Sequence, residues 1–147
     1  MAKASQVLIL ENEFYIIKAP NGKVLEVKNF NTENGAAIQL WSYAGHPWQQ
    51  WQFVDAGSGR WGIRNRFTGK MIDLALGGVV EGTWLHQWSR TSGMSQCWEL
   101  EPTRNGRTRI RNALADKYID LVGMNTANGA QAQIWNFVSG GNQEWTL

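Results

Sequence analysis

Six of the nine tryptophans fall into two sets with a fixed spacing. Trp41, Trp88 and Trp135 stand 47 residues apart. So do Trp51, Trp98 and Trp145, each two residues after a glutamine: Gln49, Gln96 or Gln143. An indole is neither acid, base nor nucleophile; it offers a large flat face for packing or for stacking a ligand. Groups that catalyse are scarce. The two histidines, His46 and His86, lie near no Ser or Cys motif, and Cys97 has no base beside it in sequence. Glycoside hydrolysis needs two carboxyl groups facing each other across about 5–9 Å. Asp73 and Asp120 occupy equivalent positions in different repeats, which a threefold arrangement holds apart. No His, Cys, Asp or Glu spacing suggests a metal site. The chain reads as a binding protein and not an enzyme, with no metal or other cofactor implied.

The spacing extends to the whole chain. Residues 7–53, 54–100 and 101–147 form three units of 47 that align without a gap. Ile16, Ile63 and Ile110 correspond, as do Lys23, Lys70 and Lys117, and Gly35, Gly82 and Gly129. Each unit predicts four short strands. Residues 14–16 and their counterparts open it, and a turn leads to a second strand that carries Leu25 and Val27 on one face. A glycine turn precedes a third strand over 38–41, and the Gln-x-Trp strand closes the unit. Side chains alternate along a strand, which separates the two tryptophan sets. Trp51 shares a face with Phe53, Trp98 with Leu100 and Trp145 with Leu147, so this set belongs to the core. Ile38 and Leu40 also face inward, which turns Gln39 and Trp41 outward, and Gln133 and Trp135 with them. A thrice-repeated outward indole is what a sugar-stacking platform needs. Gln87 falls on the inward phase beside Leu40 and Ile134, and nothing in the sequence accounts for it. Propellers need at least about four blades, so three units of four strands favour a closed barrel capped by three hairpins, which leaves no sheet edge free.

Composition narrows the partners. The net charge is +2 and 18% of residues are charged, which disfavours disorder and nucleic-acid binding. No apolar run approaches the roughly 18 residues of a membrane span, so no membrane insertion is expected. The apolar stretch 7–10 is short and is followed by Glu11 and Glu13, unlike a secretion signal. Single Cys97 precludes an internal disulfide and suits a reducing compartment. The expected location is cytoplasmic, or outside the cell by a non-classical route.

Three Gln-x-Trp motifs in phase, with IDL, AQIW and NQEW in order in the third unit, give the chain a resemblance to the ricin B-chain type (R-type) lectins. It also resembles the related carbohydrate-binding modules attached to xylanases. The resemblance covers residues 7–147. It implies an all-β β-trefoil with pseudo-threefold symmetry, one lectin domain over 1–147, and up to three pockets for galactose or N-acetylgalactosamine. In the third unit it implies that Asp120 accepts from two hydroxyls, Trp135 stacks on the sugar, Asn142 bonds a hydroxyl, Gln133 lines the floor and Gln143 holds Asp120. The axial C–H groups of galactose make one face apolar, which an indole covers while the hydroxyl edges stay free. The second pocket has Asp73, Trp88 and Gln96, but His86 and Ser95 stand where the third has Gln133 and Asn142. The first has Gln39, Trp41 and Gln49, with Glu26 in place of Asp and Trp48 in place of Asn. That pocket is either inactive or suited to a different or larger sugar.

Multivalent binding of galactose-containing glycans on glycoproteins or glycolipids implies an agglutinin. Many relatives carry a disulfide in each unit; here Val24 and Tyr43, Met71 and Arg90, and Tyr118 and Phe137 fill those positions. Two other readings stay open. One is a protein-interaction or inhibitor trefoil. The other is a binder of anionic (sialylated or sulfated) glycans through the stripe Arg107, Arg109, Arg111. Trp48, Trp61 and Trp84 exceed the needs of the repeat and are candidates for a homodimer contact.

Overall fold

Alternating apolar residues close six strand segments into a ring. The structure is a computed structural model and describes residues 7–147. Its strands are β1 Val24–Val27, β2 Ile38–Trp41, β3 Trp51–Gly57, β4 Arg60–Asn65 and β5 Met71–Leu74. They continue as β6 Leu85–Trp88, β7 Trp98–Pro102, β8 Thr108–Asn112, β9 Tyr118–Leu121 and β10 Ala132–Trp135. The barrel runs through the antiparallel pairs β3–β4, β4–β7 and β7–β8. It then passes by single bridges from Thr108 to Trp145, from Thr146 to Lys18, and from Tyr15 to Trp51. Lys18 and Thr146 exchange two backbone hydrogen bonds of 2.8 Å. Two of the twelve expected strands, the first and the last, are therefore reduced to bridged segments.

Three hairpins cap the ring: β1–β2, β5–β6 and β9–β10. They meet around the pseudo-threefold axis through the bridges Ala37–His86, Trp84–Gln133 and Gln131–Gln39, each 47 residues on from the last. Single turns of 3-10 helix follow the same rule, starting at Lys28, Ala75 and Val122 and again at Pro47, Met94 and Gly141. The fold is an all-β trefoil.

Trp51, Trp98 and Trp145 fill the middle of the core, and each is at most 1% exposed. Their indole N–H groups donate to the carbonyls of Leu25, Ile72 and Ile119 at 3.0–3.2 Å. Each closing-strand tryptophan thus pins the second strand of its own unit while filling the centre. An aromatic that buries its ring must also satisfy its N–H, and here the partner is a hairpin carbonyl.

The gapless alignment of the first unit does not hold in space. Tyr15 bridges Trp51 where Trp61 pairs with Trp98 and Thr108 with Trp145. Ile17, fully buried, is the counterpart of Ile63 and Ile110, while Ile16 is half-buried and Phe14 is exposed. The turn Ala19–Lys23, closed by Ala19 N–H to Lys23 C=O, is one residue shorter than the turns from Asn65 to Lys70 and Asn112 to Lys117. Adjacent isoleucines let either register look correct in the sequence.

Candidate functional site

In every unit the Gln of Gln-x-Trp clamps an acid. Gln49, Gln96 and Gln143 are at most 3% exposed. Their side-chain amides donate to Glu26 (3.0 Å), Asp73 (3.0 Å) and Asp120 (3.2 Å). The same amides also donate to the carbonyls of Ser42, Ser89 and Asn136, and each Gln oxygen accepts a loop N–H from Ala44, Thr91 or Val138. Gln49, Gln96 and Gln143 consequently position the acid rather than meet a ligand. One residue joins the closing strand, the loop after the outward indole, and the carboxylate.

The third site is the most complete. Asp120 and Gln133 face each other across β9 and β10, and Trp135 lies two residues further along the same face. Asp120 is 3% exposed. Its Oδ1 accepts from Leu121 N–H (2.7 Å) and Asn142 Nδ2 (2.6 Å). Burial raises its pKa above the ordinary 3.8, opposed by the bonds from Asn142, Gln143 and Leu121. Asp120, Gln133, Trp135 and Asn142 line one cleft of about 950 Å³ with Val122, Met124 and Val138. Trp135 is 37% exposed. The loop of the second unit backs it: at Gly82, with φ 87, an added Cβ would lie 3.8 Å from the indole. The cleft has a charged acceptor, an amide and an uncovered aromatic face, the three elements that grip hydroxyl edges and an apolar ring face.

The second site keeps the acid and the indole. Asp73 Oδ1 accepts only the N–H of Leu74 (2.7 Å), since Ser95 does not reach it as Asn142 reaches Asp120. His86 stacks on Trp88, centroids 5.4 Å apart and planes 25° apart. Burial lowers the pKa of His86, partly offset by the nearby Asp73 carboxylate. Trp88 remains 40% exposed.

Aromatic side chains crowd the first site. Both oxygens of Glu26 are engaged by amides, Gln39 at 2.8 Å and Gln49 at 3.0 Å. Trp48 stacks on His46 at 4.2 Å, and the Phe30 ring lies 5.1 Å from it. The Phe67 ring meets it edge-on at 5.6 Å. The cleft here, lined by Glu26, Gln39, Trp41, His46, Trp48 and Gln49 among others, holds about 220 Å³. Trp41 is outward and 42% exposed. Phe30 and His46 are parts of this site that the repeat pattern did not single out, because neither recurs in the other units.

Other expectations resolve in space. Gln87 is fully buried and satisfied. Its amide donates to Asn31 and Glu33 carbonyls (both 2.8 Å) and accepts from Thr68 Oγ1 (2.9 Å), tying the first hairpin loop to the second unit. The arginine stripe is paired: Arg107 and Arg109 with Glu144 (3.7 and 2.8 Å), Arg111 with Glu99 (3.1 Å) and Asp116 (2.6 Å). It is a salt-bridged strand face. Tyr118 packs edge-on against Phe137 at 5.9 Å. Its pKa is pushed up to about 12 by burial and by its bond to Glu101. Trp61 packs against the core and Trp48 fills the first site, leaving Trp84, 57% exposed, as the outlying member of the spare set. Cys97 is a free, half-buried thiol. Among the described residues no three His, Cys, Asp or Glu side chains converge as a metal site. Among the described residues no helix is long and apolar enough to cross a membrane.

A family model, "Ricin-type beta-trefoil lectin domain-like", matches residues 5–88 and 94–147. No curated protein sequence matches the chain. Among solved structures, the designed threefold symmetric protein ThreeFoil is 31% identical with a TM-score of 0.87, over 90% of this chain and 95% of that one. Part of 1,3Gal43A, an exo-β-1,3-galactanase from Clostridium thermocellum, is 31% identical with a TM-score of 0.89, over 94% of this chain and 30% of that one. The ricin B-like lectin of Macrolepiota procera, in complex with lactose, is 23% identical with a TM-score of 0.79, over 97% of both chains.

Proposed function

The chain belongs to the ricin-type β-trefoil lectin domain-like family, and from that premise we propose that it is a non-catalytic lectin for galactose- or N-acetylgalactosamine-terminated glycans. The observation that carries the reading is the third site: a 37% exposed indole, Trp135, sharing a cleft with Asp120, whose Oδ1 is aimed by Asn142 at 2.6 Å. The buried acid is held by three donors before any ligand arrives, so binding spends little on ordering it. Trp135 covers the apolar sugar face and Asp120 accepts hydroxyl hydrogens, each such charge-assisted bond contributing about 1.5–3 kcal/mol before desolvation. The second site, with Asp73 and Trp88, binds more weakly because it lacks the Asn142 contact. The first, filled by Trp48 and its neighbours, does not take galactose.

Single shallow sites bind weakly. Two on one rigid body raise avidity on a glycan-coated surface by about 10²–10⁴, and the expected phenotype is agglutination. A glycan array with the parent, Asp120→Ala, Asp73→Ala and Glu26→Ala tests the assignment. Galactose-terminated glycans should be retained by the parent and released by free lactose. Signal should fall most in Asp120→Ala, less in Asp73→Ala and least in Glu26→Ala. Equal binding by all four proteins would remove these pockets from the function. A bound partner that no free sugar displaces would favour the protein-interaction reading instead.

A further inference from the structure

The turn of each unit forms a wall beside the site of the unit before it, and one of the three walls is cut short. In the second unit Asn65 braces that turn: its Oδ1 accepts from Phe67 and Thr68 N–H, and its Nδ2 donates to the carbonyl of Trp48 (3.0 Å). Asn112 repeats this in the third unit, accepting from Leu114 and Ala115 and donating to the carbonyl of Ser95 (2.9 Å). Phe67, carried by the first of these turns, lies edge-on against Trp48 and helps to fill the first site. Leu114 holds the same place in the next turn. In the first unit the bracing position is Ala19, which has no side-chain donor, and the turn is one residue shorter. Only Pro20, Asn21 and Gly22 stand between its closing residues, where four residues stand in each of the other turns.

That turn faces the third site. Ala19, Pro20 and Asn21 line its cleft along with Asp120 and Trp135. Asn21 Nδ2 donates to the carbonyl of Thr126 (3.0 Å), and its Oδ1 accepts Lys23 N–H, which fixes the low wall to the opposite rim. The result is a cleft of about 950 Å³, against about 220 Å³ in the first site. A single pyranose fills only part of a cleft of that volume, whose lining also includes Pro20, Met124 and Thr126.

We propose that the third site is an extended one: the terminal galactose-type residue stacks on Trp135 beside Asp120, and a second sugar of the same oligosaccharide lies over Met124 and Pro20 with the Asn21 amide at its edge. The inference rests on the carbohydrate reading above and specifies its ligand as an oligosaccharide of two or more residues. The apolar faces of Pro20 and Met124 suit the C–H face of the second ring, and one Asn21 N–H remains to meet a hydroxyl.

Calorimetry on the full chain with methyl β-galactoside, lactose and octyl β-galactoside tests it. Lactose should bind about tenfold more tightly than the methyl galactoside, the gain from about one added hydrogen bond and its contact area. Pro20→Phe, which restores the bulk that Phe67 supplies in its own turn, should bring that ratio close to one. Met124→Ala, at an exposed position, should reduce it in a protein with an unchanged melting transition. Equal affinity for lactose and methyl galactoside in the parent would overturn the proposal. So would a ratio untouched by both variants, or an octyl galactoside that gains as much as lactose, since that would assign the cleft to an apolar aglycone. No binding of any galactoside would overturn the carbohydrate reading itself, a separate and visible failure.

Discussion

The first and third sites share one plan and hold different contents. Beneath both, a buried Gln clamps a carboxylate, and a buried Trp ties the second strand to the core. Above that layer they diverge. Asn142 steers Asp120 in the third, whereas Trp48 occupies the equivalent place in the first, stacked on His46 and backed by Phe30. Both oxygens of each acid are engaged by protein donors, three on Asp120 and two on Glu26, but Asp120 lines a cleft of about 950 Å³ and Glu26 one of about 220 Å³. The clamp is common to both because it is part of the folded core, where losing a partner strands a buried polar group. The rim differs because surface side chains change at little cost in stability.

Experiments can strain this comparison at each level. The deepest cut is Trp51→Ala against Trp145→Ala. Both rings are buried and bonded alike, so each substitution should lower unfolding free energy by about 3–5 kcal/mol, measured by chemical denaturation. Unequal losses would show that the shared layer is not shared energetically. Next is Asp120→Ala against Glu26→Ala in galactoside titrations. Loss of a charge-assisted bond should cost the third site up to about 100-fold in affinity, while Glu26→Ala should leave that affinity unchanged. A smaller effect is expected from rebuilding the first site with Glu26→Asp and Trp48→Asn, which should add one galactoside site of affinity within about tenfold of the third. An unchanged calorimetric stoichiometry would shift the cause of closure from these two residues to the Phe67 turn.

The smallest effect is that of pH. Burial raises the pKa of Asp120 above 3.8, so its folded form holds its proton more tightly than the unfolded chain does. The sign follows: this group's contribution to stability is present below the ordinary value and is lost as pH rises through the raised one. Binding runs the other way, because the ionised carboxylate is the stronger acceptor of hydroxyl hydrogens. Galactoside affinity should therefore fall by up to tenfold per pH unit once the pH drops below the raised value, and thermal stability of the unliganded protein should show the opposite trend relative to Asp120→Ala. Affinity independent of pH down to the ordinary carboxylate range would mean that the Asp120 carboxyl does not titrate above its ordinary value.

Much of the scaffold was legible in the sequence. The period of 47 marks core positions, and core positions repeat because the same volume must be filled three times around one axis. Alternation put Trp51 inside and Trp41 outside from local geometry alone. The shortened first turn was not legible, since Ile16 and Ile17 are both apolar and the counting closed either way. Only the pairing of Tyr15 with Trp51 selects Ile17. Gln87 was opaque for a similar reason: its partners, Asn31, Glu33 and Thr68, belong to other loops, and no periodicity reports a contact across 56 residues.

The sequence by itself determined the repeat, the succession of strands and the inner and outer tryptophans, because these follow from backbone alternation and from equal packing volumes; the acid beside each outer tryptophan came from the resemblance to the R-type lectins. The tertiary structure alone decided which rim is open. It brought His46 and Phe30 onto Trp48, paired the arginine stripe with Glu144, Glu99 and Asp116, and set a short turn from the chain's beginning beside a cleft built from its end. Those contacts join segments far apart in the chain, and their energies depend on distance in space, which a one-dimensional pattern does not encode.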